Sequence, residues 1–228
     1  MIILSPGELA DVPLSWPVES STVLAKGVLT SYEQDQVRTP DGKLITREYV
    51  RHPGAVGVIA IDDHERVALV RQYRHPVRHR LIEPPAGLLN AGEDYLQAMQ
   101  RELAEEVGLA ARNWAVLVDL FTTPGILQEA LRIYLARDLT TVDAPEGFTR
   151  EGEEAHMDIV WASLDDLVEA VLDGRLHNPT VVSGVLAAWT ARQRDGFASL
   201  RAADAAWPAF ESLRDQQRSS RAPGIDRQ

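Results

Sequence analysis

The segment GLLNAGEDYLQAMQRELAEEVGL, residues 87–109, constrains the fold of this chain more than any other part of the sequence. From Asp94 onward, its apolar residues recur at the three- and four-residue spacing of a helix that buries one face. Four residues form this stripe: Leu96, Met99, Leu103 and Val107. Gly108 follows, and glycine is common just past a helix C-terminus. The pattern therefore predicts a helix that begins near Asp94, ends before Gly108 and packs against a core.

Three glutamates lie beside this stripe and within one turn of each other: Glu102, Glu105 and Glu106. Like charges at this spacing repel each other, by roughly 0.2–0.5 kcal/mol per exposed pair. A surface helix usually offsets such repulsion with lysine or arginine four residues on, but Glu106 follows Glu102 and Leu109 follows Glu105 at that distance. We therefore expect the missing positive charge to come from outside the helix. The alternative is a solvated acidic helix with one favourable pair, Arg101–Glu105.

The composition restricts the class of protein. With 228 residues, 45% of them hydrophobic, the chain can form one domain with a sizeable core, alone or with a smaller appendage. A net charge of −11 argues against non-specific binding to nucleic acid or to an anionic membrane. It permits a phosphate-bearing small molecule, because a metal ion can reverse the local field. The absence of cysteine excludes disulfides, thiolate metal sites and thiol catalysis.

The N-terminal residues MIILSPGELADVPLSWPVES lack the basic segment that precedes the apolar part of a secretory signal. No apolar run approaches the ~18 residues that span a bilayer. We therefore expect a cytoplasmic protein whose partners include neither a membrane nor a nucleic acid.

The order of strand-like and helical patterns predicts three parts. Residues 1–52 hold strands around the turn TPDGK and are expected to form a small antiparallel β segment. Residues 53–197 mix buried-strand patterns such as GAVGVIAI with helical ones, which is typical of a layered α/β domain. Residues 198–228 are expected to form a C-terminal helix and a disordered tail.

Residues 87–109 also follow a long fixed pattern: Gly87, five residues, Glu93, seven residues, then Arg101-Glu102-Leu103, Ala104, Glu105-Glu106, Val107, Gly108 and Leu109. This pattern resembles the Nudix box, the signature of hydrolases that cleave a nucleoside diphosphate linked to another group. Every defining position is filled at its proper spacing. The resemblance implies the Nudix fold, an α/β/α sandwich with a mixed sheet.

The resemblance also implies a metal site that accounts for the clustered glutamates. In the family the box helix gathers Mg²⁺ or Mn²⁺, which assigns Glu102, Glu105 and Glu106 here as ligands, together with the carbonyl of Ala86. Oxygen ligands suit these hard cations. For Glu105 the alternative is that it supports the other ligands and does not itself bind the metal.

The segment RQYRHPVRHRLIEPPAG makes the chain similar to the ADP-ribose pyrophosphatase branch of the family, over about residues 20 to 190. Pro124 lies 15 residues after Leu109, the placement associated with ADP-ribose specificity. The branch also implies a homodimer, in which the N-terminal strands pack across a two-fold axis. Ile126 and Leu127 depart from the branch, because they make the loop after Pro124 more apolar.

Two catalytic roles follow from the same resemblance. Arg101 orients the box and pairs with Glu93. The general base is expected in the loop REGEEAHMDIVW, where Glu154 aligns with the catalytic glutamate and Glu153 precedes it. A loop carboxylate can accept the proton of the attacking water, although acidic residues in a polar loop are ordinarily just solvated.

Five residues are candidates for binding the substrate: Arg47, Arg74, Glu83, Glu129 and Tyr32. Both arginines are assigned to the diphosphate, because guanidinium groups bind phosphate oxygens in pairs. Glu83 is assigned to a ribose hydroxyl or the adenine amino group, and Glu129 keeps the glutamate position of the branch after Pro124. Tyr32 is assigned to stacking on adenine from the partner subunit. Structural ion pairs, and plain packing for Tyr32, are the alternatives.

These features predict Mg²⁺-dependent hydrolysis of ADP-ribose to AMP and ribose 5-phosphate, by attack of water on phosphorus. A pyrophosphatase for another nucleotide sugar or a dinucleotide is the nearest alternative, because Ile126 and Leu127 alter the loop. A non-catalytic ADP-ribose sensor fits less well, because such proteins usually lose box glutamates and all of them are present here.

Overall fold

The computed structural model describes residues 3–90, 92–143 and 156–219, with side chains described as far as residue 213. The strands are β1 (Val18–Lys26), β2 (Ser31–Arg38), β3 (Leu44–Arg51), β4 (Ala55–Ala60), β5 (Arg66–Arg74), β6 (His79–Glu83), β7 (Ala86–Leu88), β8 (Leu109–Phe121), β9 (Leu127–Gln128), β10 (Ala130–Thr141), β11 (Asp158–Ser163) and β12 (Arg201–Ala202). The helices are α1 (Tyr95–Val107), α2 (Leu164–Leu172), α3 (Pro179–Asp195) and α4 (Pro208–Ser219). None of the described helices is long and apolar enough to cross a membrane.

Two sheets form the centre of the molecule. A five-stranded mixed sheet has the order β12-β8-β10-β4-β7, in which β10 runs parallel to β4 and the other neighbours are antiparallel. A three-stranded antiparallel sheet has the order β11-β5-β6. The two sheets meet at an isolated bridge between Ile61 and Val67, beside the turn that connects β4 to β5.

The alternation of side chains along β4 separates two apolar clusters. Ile59 points into a cluster with α2 and α3, whereas its neighbours Val58 and Ala60 point into a cluster with α1. Because helices cover both faces, every residue of β4 is buried, which explains its continuous apolar sequence. Helices on both sides of a mixed sheet give the expected α/β/α arrangement, and the prediction of fold class is confirmed.

The helix α1 begins and ends where the sequence predicts. Asp94 is its N-cap and accepts hydrogen bonds from two backbone N–H groups of the first turn. Gly108 adopts a φ of +65° at the other end, which glycine tolerates without strain. Met99 and Leu103, from the predicted stripe, are fully buried between α1 and the sheets. The stripe therefore fixes which face of α1 is left for the glutamates.

A third sheet, with the order β1-β2-β3-β9, holds the N-terminal segment. Strands β1 to β3 form an antiparallel meander, whose second turn contains Gly42 at a φ of +81°. Strand β9 comes from the loop after β8 and pairs in parallel with the end of β3. The N-terminal sheet and the loop 122–129 are therefore joined by backbone hydrogen bonds.

A buried ion pair joins β2 to the end of β3. Glu33 is 5% exposed and accepts hydrogen bonds from Nε and Nη2 of Arg51, each at 2.6 Å. Arg51 lowers the pKa of Glu33 below its usual range, despite the opposing effect of burial. The charged pair therefore fixes the end of β3, which leads directly into His52.

The C-terminal residues return to the centre of the molecule. Strand β12 pairs with β8, and α4 follows a short turn. Trp207 and Phe210 are buried in a third apolar cluster around Ala130, the first residue of β10. Residues 201–213 are thus packed against the same sheet that carries the site.

Candidate active site

A cleft of about 780 Å³ opens beside α1, β7, the β5–β6 hairpin and the start of α3. Seven of the residues predicted for the site line this cleft: Arg74, Glu83, Ala86, Arg101, Glu102, Glu106 and Glu129. Six polar residues that the sequence reasoning missed also line it: His52, Gln72, Asn90, Thr122, Asn178 and Thr180. Glu105, Arg47 and Tyr32 are not among its lining residues. The cleft therefore collects most, but not all, of the predicted site.

Arg101 lies among the carboxylates of α1 and of the loop before it. Its Nη1 donates to Glu102 Oε1 at 2.7 Å and to Glu105 Oε2 at 2.9 Å, while Nε and Nη2 donate to Glu93 at 3.0 and 3.1 Å. Glu93, followed by the two helix glutamates, raises the pKa of Arg101, and Arg101 lowers the pKa of Glu93. The expectation that the positive charge comes from outside the helix is wrong in part, because this arginine of the same helix supplies some of it.

Glu106 is fixed against strand β7. Its side chain is buried, with 5% of the residue exposed, and its Oε2 accepts a hydrogen bond from the N–H of Ala86 at 2.9 Å. Ala86 is in turn held in β7 by its pairing with Gly57 of β4. The sheet therefore sets the position of this carboxylate at the floor of the cleft.

Glu102 lies directly over Gly87, the next residue of β7. A Cβ atom on Gly87 would lie 2.0 Å from Cδ and 2.1 Å from Oε1 of Glu102, far inside van der Waals contact. The carboxylate can occupy this place only because residue 87 has no side chain. Here glycine is required for a close approach rather than for a turn, a reason that the box pattern, which includes Gly87, does not itself supply.

The glutamates have the donor chemistry of a site for a hard divalent cation, but they are not gathered into a ligand set. Among the residues that the structure describes, no three acidic or histidine side chains form a group that could hold a metal ion. The cause is that Arg101 lies between Glu102 and Glu105, and Ala86 holds Glu106. Because Glu102 and Glu105 bind the same nitrogen of Arg101, a cation that replaced this nitrogen would meet both carboxylates. The residues therefore fit a cation that competes with Arg101.

Arg74, on the β5–β6 hairpin, also lines the cleft. Glu83, which is 2% exposed, accepts from Nη2 of Arg74 at 2.6 Å and from Nε at 3.0 Å, and Gln72 Nε2 donates to the same carboxylate at 3.0 Å. The side chain of Arg74 remains 42% exposed. The buried carboxylate thus holds one edge of the guanidinium while the arginine still borders the cleft.

His52, Glu129 and Thr122 form a further polar group in the cleft. Thr122 Oγ1 donates to Glu129 Oε2 at 2.5 Å, and His52 Nδ1 lies 3.6 Å from Glu129 Oε1. Burial lowers the pKa of His52, although Glu129 opposes this effect. A neutral His52 accepts the hydrogen bond that the N–H of Gly54 donates to Nδ1 at 3.2 Å, so its contact with Glu129 is not an ion pair at neutral pH.

A second cavity, of about 460 Å³, lies on the other side of the loop 122–129. Arg47 lines it, together with residues of that loop that include Pro124, Ile126 and Leu127. The two apolar departures from the branch therefore border this second cavity and not the cleft. Tyr32 lines neither space, and its O–H donates to Glu48 at 2.7 Å.

The two candidates for the general base, Glu153 and Glu154, lie outside the described residues. Their positions relative to the cleft therefore rest on the sequence alone.

Comparisons with known proteins agree with the family resemblance that the sequence pattern indicated. The model of the NUDIX domain matches residues 51–183. The chain is 44% identical over 189 residues to an ADP-ribose pyrophosphatase of Mycobacterium tuberculosis, and the aligned residues make up 82% of this chain and 89% of that protein. It is 33% identical over 159 residues to a methanol dehydrogenase activator of Bacillus methanolicus, and the aligned residues make up 70% of this chain and 84% of that protein. A crystal structure of an ADP compounds hydrolase superposes with a TM-score of 0.67 at 22% identity, covering 82% of this chain and 99% of the other, and supports the fold.

The close approach of Gly87 and Glu102 generates a prediction about cation binding. In Gly87→Ala the new methyl group displaces the Glu102 carboxylate, which can move because it is the end of a flexible side chain. We expect the affinity for Mn²⁺, measured by calorimetric titration, to fall by about 10-fold or more. The free energy of unfolding should change by no more than about 1 kcal/mol.

Gly125→Ala is the matched control, because a Cβ at Gly125 meets no atom within 4 Å. This variant should bind Mn²⁺ as the unaltered protein does. Equal affinities in Gly87→Ala and Gly125→Ala would show that the position of Glu102 does not govern cation binding.

Proposed function

This chain belongs to the NUDIX family, and from that membership we propose that it is a hydrolase that cleaves the diphosphate of ADP-ribose to AMP and ribose 5-phosphate. The observation that carries the proposal is the 44% identity to an ADP-ribose pyrophosphatase over most of both chains. The cleft adds chemical support, because carboxylates and a partly exposed arginine line the same space. A diphosphate needs both, since cations neutralise its charge and guanidinium binds its oxygens.

A divalent cation is part of this proposal, with Mg²⁺ as the natural ion and Mn²⁺ as its substitute. We assign Glu102 and Glu106 as its main ligands, with Glu105 and the carbonyl of Ala86 completing the set. Such a cation, when bound, supplies positive charge to the diphosphate oxygens and makes a water molecule more acidic. Arg101 keeps its bond to Glu93 and thereby holds α1 and the preceding loop together.

Other residues that line the cleft are assigned to the substrate. Arg74 binds the diphosphate, and Glu83 positions Arg74, because this carboxylate is buried and already accepts from both Arg74 and Gln72. Glu129 is assigned to a hydroxyl of the second ribose, since it borders the cleft and its position is set by Thr122 and His52.

The proton of the attacking water is assigned to Glu154, with Glu153 as the alternative. The support is the alignment of the segment REGEEAHMDIVW with the catalytic loop of the resembling branch. Among the described residues that line the cleft, Glu83 and Glu106 are each held by the hydrogen bonds already given, so neither is a better candidate for this role.

A homodimer is the proposed assembly, formed through the N-terminal segment 1–52. Every residue of β1 is exposed, including Val18, Val23 and Leu24, and β1 pairs only with β2 among the described strands. A second copy would cover this apolar edge. Arg47 and Tyr32 also lie outside the cleft of their own chain, so we assign their substrate contacts to the cleft of the second copy.

The first prediction from this proposal is the activity itself. With millimolar Mg²⁺ the protein should convert ADP-ribose to AMP and ribose 5-phosphate, and a chelator should abolish the reaction. The measurement is chromatography of the products from a panel that includes ADP-glucose and a dinucleotide. Release of AMP from other members of the panel but not from ADP-ribose would place the enzyme in a different branch of the family. If the protein cleaved no member of the panel, the proposed hydrolase function would be refuted.

The second prediction separates cation binding from proton transfer. Glu106→Gln keeps an acceptor for the Ala86 N–H but loses the charge, so both Mn²⁺ affinity and turnover should fall. Glu154→Gln should lower kcat by about 10²–10⁴-fold and leave Mn²⁺ affinity nearly unchanged, because its role belongs to the transition state. Calorimetry and steady-state kinetics supply the two readouts.

Glu169→Gln, an exposed change on α2 away from the cleft, is the control for these two variants and should leave both quantities unchanged. A normal kcat in Glu154→Gln would transfer the role of base to Glu153. A loss of Mn²⁺ affinity in the same variant would instead make Glu154 a ligand.

The third prediction concerns the assembly. Light scattering at micromolar concentration should give twice the chain mass of 25.2 kDa. The double change Val23→Glu and Leu24→Glu places charges on the apolar part of β1 and should give monomers. The matched change Ser20→Glu and Ser21→Glu on the same strand should leave a dimer, and a monomeric mass for the unaltered chain would refute the proposal.

A further inference from the structure

Two aromatic residues near the C-terminus lie beyond the part of the chain that matches the NUDIX domain, which ends at residue 183. Trp207 is 6% exposed and Phe210 is 3% exposed, and their rings stack with centroids 5.3 Å apart. Trp207 immediately precedes α4. A segment outside the common domain thus inserts two large rings into the interior, beside the elements that carry the site.

The two rings contact the start of α1 and the end of β8. Tyr95, the first residue of α1, lies with its ring centroid 6.0 Å from that of Trp207 and 5.5 Å from that of Phe210. Phe121, the last residue of β8, lies 6.2 Å from Trp207. Trp207 therefore touches both the start of the helix that holds the glutamates and the strand end from which the loop 122–129 departs.

The buried guanidinium group of Arg132 holds Trp207 in this place. Arg132 is 2% exposed, and its guanidinium lies over the rings of Tyr95 and Trp207, 5.2 and 5.3 Å from their centroids. Asp119 accepts from Nε of Arg132 at 2.8 Å, and the carbonyl oxygen of Ala205 accepts from Nη1 at 2.7 Å. Arg132 therefore binds both the backbone of the C-terminal segment and the end of β8, two residues before Phe121.

The loop that leaves Phe121 borders both cavities. Thr122 and Glu129, at its two ends, line the cleft, while residues 124–128 line the second cavity. A shift of Phe121 would therefore move Thr122, whose hydroxyl donates to Glu129. Glu129 is the residue assigned above to the second ribose, and the backbone before it thus depends on what holds Phe121.

We propose that Trp207 is a positioning residue that sets the conformation of the loop 122–129, and through it the discrimination of this enzyme among nucleoside diphosphate sugars. The inference rests on the proposed hydrolase function. It assigns a role in substrate selection to a segment outside the matched domain. Trp207 is not among the lining residues of the cleft, so it acts through its contacts with Phe121, Tyr95 and Arg132.

A ratio of two activities distinguishes positioning from mere stabilisation. A residue that only stabilises the fold changes the fraction of active molecules, which scales kcat/KM for every substrate by the same factor. The ratio of kcat/KM for ADP-ribose to kcat/KM for ADP-glucose, measured in one preparation, is independent of that fraction. A residue that positions the loop at the second sugar must change this ratio, because misplacement by about 1 Å can cost up to 10²-fold in rate.

The experiment compares Trp207→Ala with Trp114→Ala. Trp114 also lies on another aromatic ring, that of Tyr134 at 6.0 Å, but on the half of β8 away from the loop. We expect the ratio to change by about 10-fold in Trp207→Ala and to stay constant in Trp114→Ala. Trp207→Phe, which retains an aromatic ring, should restore most of the ratio. An unchanged ratio in Trp207→Ala overturns the proposal.

Phe121→Ala keeps the test decisive if Trp207→Ala does not fold, because Phe121 is 37% exposed and its loss disturbs the core less. It should change the ratio in the same direction as Trp207→Ala. Unaltered discrimination in Phe121→Ala contradicts coupling through this contact.

Hydrogen exchange without substrate separates this inference from the proposed function. If the unaltered protein cleaves no member of the panel, the proposed function fails, yet Trp207 can still be tested as the residue that holds the loop. Exchange in the peptide 117–128 should be faster in Trp207→Ala than in Trp114→Ala when both are compared with the unaltered protein. Equal exchange in the two variants overturns the positioning role.

Discussion

The site depends on a concentration of negative charge that α1 does not neutralise by itself. The carboxylates of Glu93, Glu102 and Glu105 all bind the single guanidinium of Arg101, and Glu106 lines the same cleft one turn after Glu102, so carboxylates outnumber the positive groups of this helix. Partial burial strengthens such repulsion, because the effective dielectric constant there is lower than in water. The excess charge favours a divalent cation and disfavours an anionic substrate that arrives without one. The fold has to hold the carboxylates together against this repulsion.

Backbone geometry meets that requirement at strand β7. The N–H of Ala86 binds Glu106, and the missing side chain of Gly87 makes room for Glu102. Both contacts depend on the pairing of β7 with β4, which the apolar clusters on either side of β4 support. The catalytic chemistry proposed for this chain thus begins with ordinary sheet packing, because a three-residue strand sets where two of the carboxylates lie.

The sequence predicted those parts of the site that depend on neighbours along the chain. The apolar stripe placed α1 between Asp94 and Gly108, and the box pattern placed Arg101 beside Glu93, since helical spacing and caps are local properties. Arg74 and Glu83, nine residues apart on one hairpin, form the ion pair that was the alternative for each, and Arg74 also lines the cleft. Its contact with the diphosphate stays a prediction.

His52 and Thr122 were missed because strand pairing brings them together from segments 70 residues apart, and a lone histidine or threonine has no spacing that marks it. For the same reason the sequence could not place Arg47 beside a second cavity, since its neighbours there come from β2, the loop after β8 and α4.

The two-residue strand β9 links the loop 122–129 to distant parts of the chain. By sequence β9 belongs to this loop, and by hydrogen bonding it belongs to the N-terminal sheet. A chimera that grafted residues 51–183 onto the ends of a relative would carry the proposed metal ligands and general base but would inherit foreign supports for this loop. If Trp207 positions the loop as proposed, substrate choice depends on residues beyond the common domain and would not be transplanted with that domain alone.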